Sequence, residues 1–109
     1  MAIIYRVLGQ INPTANASNT IYTVPSDVST IISTVTVCNL SNTVGTFRLA
    51  VRPDGETLAN KHYIAYDTTI PANDMVALTL GITLGNTDVL TCYASSNNIS
   101  FSAFGSEIN

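Results

Sequence analysis

An antiparallel two-sheet β-sandwich of about eight strands, in a single all-β domain spanning residues 1–109, is the fold this sequence predicts. Three observations predict it. Apolar residues recur at every second position, and no window sustains the 3.6-residue period of a helix. Gly, Pro, Asn and Asp interrupt the apolar runs roughly every 8 to 15 residues, too often for crossover helices. The polar residues are mostly neutral, with 15 Thr, 10 Ser and 11 Asn against 10% charged residues. Thr suits an exposed strand position, and Asn and Ser suit turns.

The first strand is expected over Ile3 to Leu8, closed by Gly9, and a short second one over Thr20 to Val24 before Pro25. The third runs from Thr30 to Asn39, with Ile31, Val35 and Val37 on one face and Thr34, Thr36 and Cys38 on the other. Thr46 to Arg52 alternates most cleanly, with Phe47, Leu49 and Val51 opposite Arg48, Ala50 and Arg52. Pro53-Asp54-Gly55 ends it as a turn. His62 to Asp67 follows, and after the turn Pro71 to Asp74 comes a long strand from Met75 to Leu84, with a bulge or bend at Gly81. Val89 to Ala94 and Ile99 to Ser106 complete the set, and Phe104 predicts a bulge because it breaks the parity of Ile99, Phe101 and Ala103. Strand order is open at this level, between jelly-roll and immunoglobulin-like arrangements.

Composition excludes several functions. A net charge of −3 with four basic residues leaves no cluster to hold a phosphate backbone, so nucleic acid is not an expected partner. The same scarcity, and the lack of any apolar run near the ~20 residues that span a bilayer, argue against a membrane partner. Met1 to Arg6 lacks the pattern of a secretory signal. Cys38 and Cys92, widely spaced and without a Trp between them, read as buried free thiols.

No motif carries catalysis. His62 is the only histidine and has no nucleophile elbow nearby, so it reads as an exposed or interface residue and the chain as a non-enzyme. Asp27, Asp54, Asp67, Asp74 and Asp88 all fall near turns, where an aspartate bonds local backbone. No cofactor or metal is expected. The Asn-x-Ser patterns at Asn16, Asn39 and Asn98 are expected from an Asn- and Ser-rich composition. Arg48 and Arg52, joined by Arg6, could form a small basic stripe toward an acidic neighbour. Tyr buries a ring while keeping its hydroxyl wet, and so few ionic groups imply a surface partly covered by a partner. Tyr63, Tyr66, Arg48 and Arg52 are the interface candidates.

Several segments resemble small virion proteins of tailed phages, particularly those of cyanobacteria and marine bacteria. They are Tyr5-Arg6-Val7-Leu8-Gly9-Gln10, Ile21-Tyr22-Thr23-Val24-Pro25, Ser33-Thr34-Val35-Thr36-Val37-Cys38-Asn39, Phe47-Arg48-Leu49-Ala50-Val51, Lys61 to Asp67 and Phe104-Gly105-Ser106-Glu107-Ile108. The resemblance implies a structural protein made in the host cytoplasm and carried on the virion. Its first expected role is capsid decoration, or cement: binding the outside of the shell and bridging subunits of the major capsid protein. A tail, neck or fibre-associated component, including one with a carbohydrate-binding face, is the alternative. A small hydrolase or lectin-like accessory is a third reading, disfavoured by the lone histidine and the absence of Trp. A homo-oligomer, in particular a trimer, is expected.

Overall fold

The computed structural model describes residues 2–109. Its strands are β1 (Ile3–Ile11), β2 (Ser18–Thr23), β3 (Ser29–Asn39), β4 (Gly45–Arg52), β5 (Tyr63–Ile70), β6 (Met75–Leu78), β7 (Ile82–Leu84), β8 (Val89–Ala94) and β9 (Ile99–Ile108), with 3₁₀ turns at Pro53–Gly55 and Asn60–His62. All pairing is antiparallel. One sheet has the order β1-β9-β3-β6, with β7 also against β3, and the other β2-β8-β4-β5. First strand pairs with last, second with last but one, and so inward to β4 and β5: a jelly roll, not the immunoglobulin arrangement.

The long strand expected over Met75 to Leu84 is two short ones. Both lie against β3, with β6 along Val35 to Cys38 and β7 along Thr30 to Ile32. Gly81, at φ 65, takes the left-handed conformation that breaks the strand between them. Counted as one interrupted strand, they bring the total to the expected eight. The first strand continues through Gly9 to Ile11, and the fifth starts at Tyr63, one residue after His62.

The core lies between the sheets. Phe47 of β4 meets Phe101 of β9 edge-on at 6.2 Å, and Leu49, Leu90, Ile32, Val35, Ile70 and Ile99 close around them. Along β9 the inward parity of Ile99, Phe101 and Ala103 continues unbroken, so Phe104 simply faces outward. The expected bulge lies instead in both neighbours, as one extra residue opposite Phe104: Leu8 in β1 and Ser33 in β3. This corrects the reading of β3. Before Ser33 the even positions point inward, so Ile32 is 1% exposed and Ile31 40%. After it Val35 and Val37 are buried, as expected.

Gly105 lets β3 approach at its bulge, and Gly9, next to the bulge in β1, lets β2 of the other sheet approach. A Cβ on Gly105 would stand 2.0 Å from the Ile31 carbonyl oxygen, and one on Gly9 2.2 Å from that of Ile21. Cys92 faces the core and its thiol is pushed up to about 12 by desolvation. Cys38 is half-buried on the outer side of the other sheet, contrary to the expectation of two buried thiols, and both are free.

Gly105→Ala should therefore lower stability by about 1–3 kcal/mol, because backbone must move. Gly85→Ala, whose new Cβ would have Asp88 Oδ2 nearest at 3.7 Å, should change it by under about 0.5 kcal/mol. Urea titrations of the two variants check the contrast. In mass-detected alkylation, Cys38 should react in the native protein and Cys92 only after unfolding.

Candidate interaction surfaces

Alternation along β4 sends Phe47 and Leu49 into the core and Arg48 to the outer face of its sheet. β5 answers with a bulge: Phe47 pairs with Thr68 and Leu49 with Ala65, so Tyr66 and Asp67 together stand opposite Arg48. Asp67 takes a left-handed φ of 49 to make this possible. Arg48 then forms a fork with Asp67, Nε to Oδ1 at 2.7 Å and a second nitrogen to Oδ2 at 3.4 Å. Its guanidinium carbon lies 4.2 Å from the Tyr66 ring centre and 4.1 Å from that of Tyr93. Asp67 holds the guanidinium's pKa above its usual range. Tyr63 meets Tyr66 edge-on at 4.9 Å, and the Tyr93 hydroxyl donates to Asn16 at 3.1 Å.

Three of the four interface candidates thus form one row, Tyr63-Tyr66-Arg48, extended by Tyr93. Asn60, Tyr63 and Tyr66 line a shallow groove of about 380 Å³ beside it. Arg52, the fourth, is engaged elsewhere. Its Nε donates to Thr91 Oγ1 at 3.0 Å, and a terminal nitrogen donates to the carbonyls of Gly55 and Glu56. It clamps the turn after β4. Arg6 lies on the other sheet, paired with Glu107 at 3.0 Å, so the three arginines form no stripe.

His62, expected to be exposed or at an interface, is instead buried within the chain itself. Its Nδ1 accepts from the Ala59 N–H at 3.0 Å, which leaves Nε2 to donate to Glu56 at 3.2 Å. With both nitrogens engaged, it ties down the loop between β4 and β5. Bonds from His62 and then Lys61 lower the pKa of Glu56. Asn39, too, is a buried structural residue: its amide donates to the carbonyls of Thr43, Ile70 and Pro71, and its oxygen accepts from Ser41. The aspartates largely keep to turns, as Asp88 shows by accepting from the backbone of Gly85 and Asp54.

The second surface was not read from the sequence. It is the outer face of β1, β9, β3, β6 and β7, whose outward positions include no Asp, Glu, Lys or Arg. Cross-strand pairing groups Tyr5 with Ser106 and Ile31, and Val7 with Phe104. Tyr5 is 81% exposed, and together with Ile31, Ser33, Phe104 and, at the edge, Arg6 it borders a shallow depression of about 410 Å³. The signal that would have found this face is the bulge at Ser33, which turns Ile31 outward. Comparison with known proteins gives no family model that matches the chain and no curated protein that matches it.

His62→Ala removes a buried ring that accepts from the Ala59 N–H and bonds Glu56, and should cost about 1–3 kcal/mol. Arg48→Ala should cost less than His62→Ala, because its partners are solvated. Chemical denaturation at neutral pH measures both. Glu56 has a depressed folded pKa, so its contribution is complete above the unfolded glutamate value of about 4.3 and is lost as pH falls through the lower folded value. Stability of the unmodified protein should drop over that acid window, and by less in Glu56→Gln.

Proposed function

We propose that this chain is a structural protein of a virion, a decoration protein that binds the outside of the shell and bridges major capsid subunits. The observation that carries the reading is the pair of outer faces with exposed apolar and aromatic residues on opposite sides of a thin sandwich, whose principal extents are 45 × 27 × 20 Å. One face is uncharged and partly apolar, and the other carries the tyrosine-arginine row. Exposed Ile3, Tyr5 and Val7 follow one another on the outer face of β1, and Ile31 lies two strands away in the same cross-strand row as Tyr5. Tyr and Arg are the residue types that dominate binding hot spots. A molecule adhesive on both sides can bridge two neighbours. The resemblance to phage virion proteins supports the same reading, and the jelly roll is compatible with it, being used in viral capsid and lectin domains among others.

The groove beside Asn60, Tyr63 and Tyr66 favours the second reading, a tail- or fibre-associated component with a carbohydrate-binding face. Aromatic rings stack on sugar faces, and the exposed Asn60 amide offers hydroxyl partners. Electron microscopy of particles carrying labelled protein separates the two: many copies over the shell support decoration, and a few copies at the tail support the alternative.

Because the arginines are already paired or bonded within the chain, binding to shells should survive an increase in salt from about 0.1 to 1 M, over which the Debye length falls from about 10 to 3 Å. Tyr66→Ala should weaken it at least tenfold, about 1.4 kcal/mol. Co-sedimentation with shells lacking the protein measures both, and salt-driven release would show that ion pairs carry the contact.

A further inference from the structure

The two sheets leave four edges, and three are blunted. β2 has six residues, β6 and β7 are short pieces separated at Gly81, and β5 is interrupted by bulges at Ile64 and at Tyr66-Asp67. β1 differs. It is nine residues long, pairs on one side only, contains no Lys or Pro and a single charge, Arg6, which Glu107 of the same chain pairs, and runs regularly from Ile3 to Val7 before its bulge. Proteins ordinarily protect such an edge with charge, Pro or a covering element. Here Ile3, Ile4, Tyr5 and Val7 are 49%, 47%, 81% and 49% exposed, so apolar side chains stand open on both faces of an open edge.

We propose that β1 joins to β1 of a second copy of this chain, antiparallel across a twofold axis through Tyr5, merging two five-stranded sheets into one. Side-chain direction and the avoidance of like charges allow a second copy here, and an axis at Tyr5 is the register that pairs the whole regular segment Ile3 to Val7 with itself. Directly opposed residues must point to the same face. An axis at Tyr5 meets that condition and sets Ile3 against Val7 and Tyr5 against Tyr5 on the outer face. On the inner face it sets Arg6 against Ile4, whose neighbour on β9 is Glu107. Each row across the joint then reads Gly105-Arg6-Ile4-Glu107, with one cation and one carboxylate. An axis at Arg6 would oppose two arginines, and like charges directly opposite are unfavourable. Self-pairing closes after two copies, whereas the sequence led to an expectation of three. The inference deepens the structural-assembly reading by naming the element that joins copies, and it rests on that reading only in taking the second copy as occupant.

Light scattering of the purified chain tests it. The unmodified protein at tens of micromolar should have twice the 11.6 kDa chain mass. Tyr5→Lys and Tyr5→Glu, at a highly exposed position, should each keep the β circular dichroism spectrum but dissociate at least tenfold more readily, since like charges meet on the axis. Mixed one to one, they should recover the dimer, because Lys then faces Glu. Ile31→Lys, two strands from the joint, should remain dimeric. The proposal is overturned by a monomeric or trimeric unmodified protein, by Tyr5 variants that stay dimeric alone, by a mixture that stays monomeric, or by loss of the dimer in Ile31→Lys. None of these outcomes depends on where the protein sits on a particle, so this test and the imaging can fail separately.

Discussion

Two extra residues, one on each side of β9, govern the character of the whole five-stranded sheet. Leu8 and Ser33 both lie opposite Phe104, and each shifts its strand by one position relative to the regular strand between them. Because side chains alternate with a period of two, such a shift exchanges which residues reach the core. In β3 it places Ile32, Val35 and Val37 inside although their spacing is uneven, and it expels Ile31. In β1 it turns Tyr5 and Val7 outward while Gly9 and Ile11 face in. The apolar outer face follows from the bulges; Gly105 leaves room for the Ile31 carbonyl beside the bulge in β3, and Gly9 for that of Ile21 in the other sheet, at distances no Cβ would permit.

With so few charges, the fold uses isolated polar knots where other proteins use ion-pair networks. Glu107 accepts from the Tyr22 hydroxyl and pairs with Arg6, while the same hydroxyl bonds Thr30, so β1, β2, β3 and β9 meet at one point. Burial first, and the bond to Glu107 second, push the Tyr22 hydroxyl up to about 12. Asn39 does the equivalent at the far end of β3, joining the turn after it to the turn before β6. His62 holds the loop between β4 and β5. No buried side-chain nitrogen or oxygen among the described residues lacks a partner, which is what an interior poor in charge requires of its polar groups.

That economy leaves the surface to neutral and aromatic groups. Every arginine is engaged within the chain, Arg6 by Glu107, Arg48 by Asp67 and two tyrosines, Arg52 by Thr91 and backbone carbonyls. The surfaces free to meet another molecule include the edge of β1, the outer face beside it and the aromatic row across β5, β4 and β8. Adhesion by apolar and hydrogen-bonded contact suits a protein that stays where it is placed, which is the physical sense of the structural role proposed.

The sequence by itself determined the fold class and most strand positions, because period-two patterning and turn residues act over a few neighbours. Phe47, Leu49, Leu90 and Ile99 are buried as alternation requires, and Pro53-Asp54-Gly55 and the turns at Asn73 and Thr87 fall where turn chemistry puts them. Tyr63, Tyr66 and Arg48 were legible as a group only in type; a bulge in β5 brings them into contact. What depended on residues far apart in the chain was decided by the tertiary structure. Jelly-roll order, the inversion of Ile31 and Ile32, the separation of Arg6 from Arg48, and the burial of His62 and Asn39 each rest on a partner strand or loop that local pattern does not specify. A bulge is one residue's difference between two paired strands, and alternation within either strand alone does not show which neighbour will carry it.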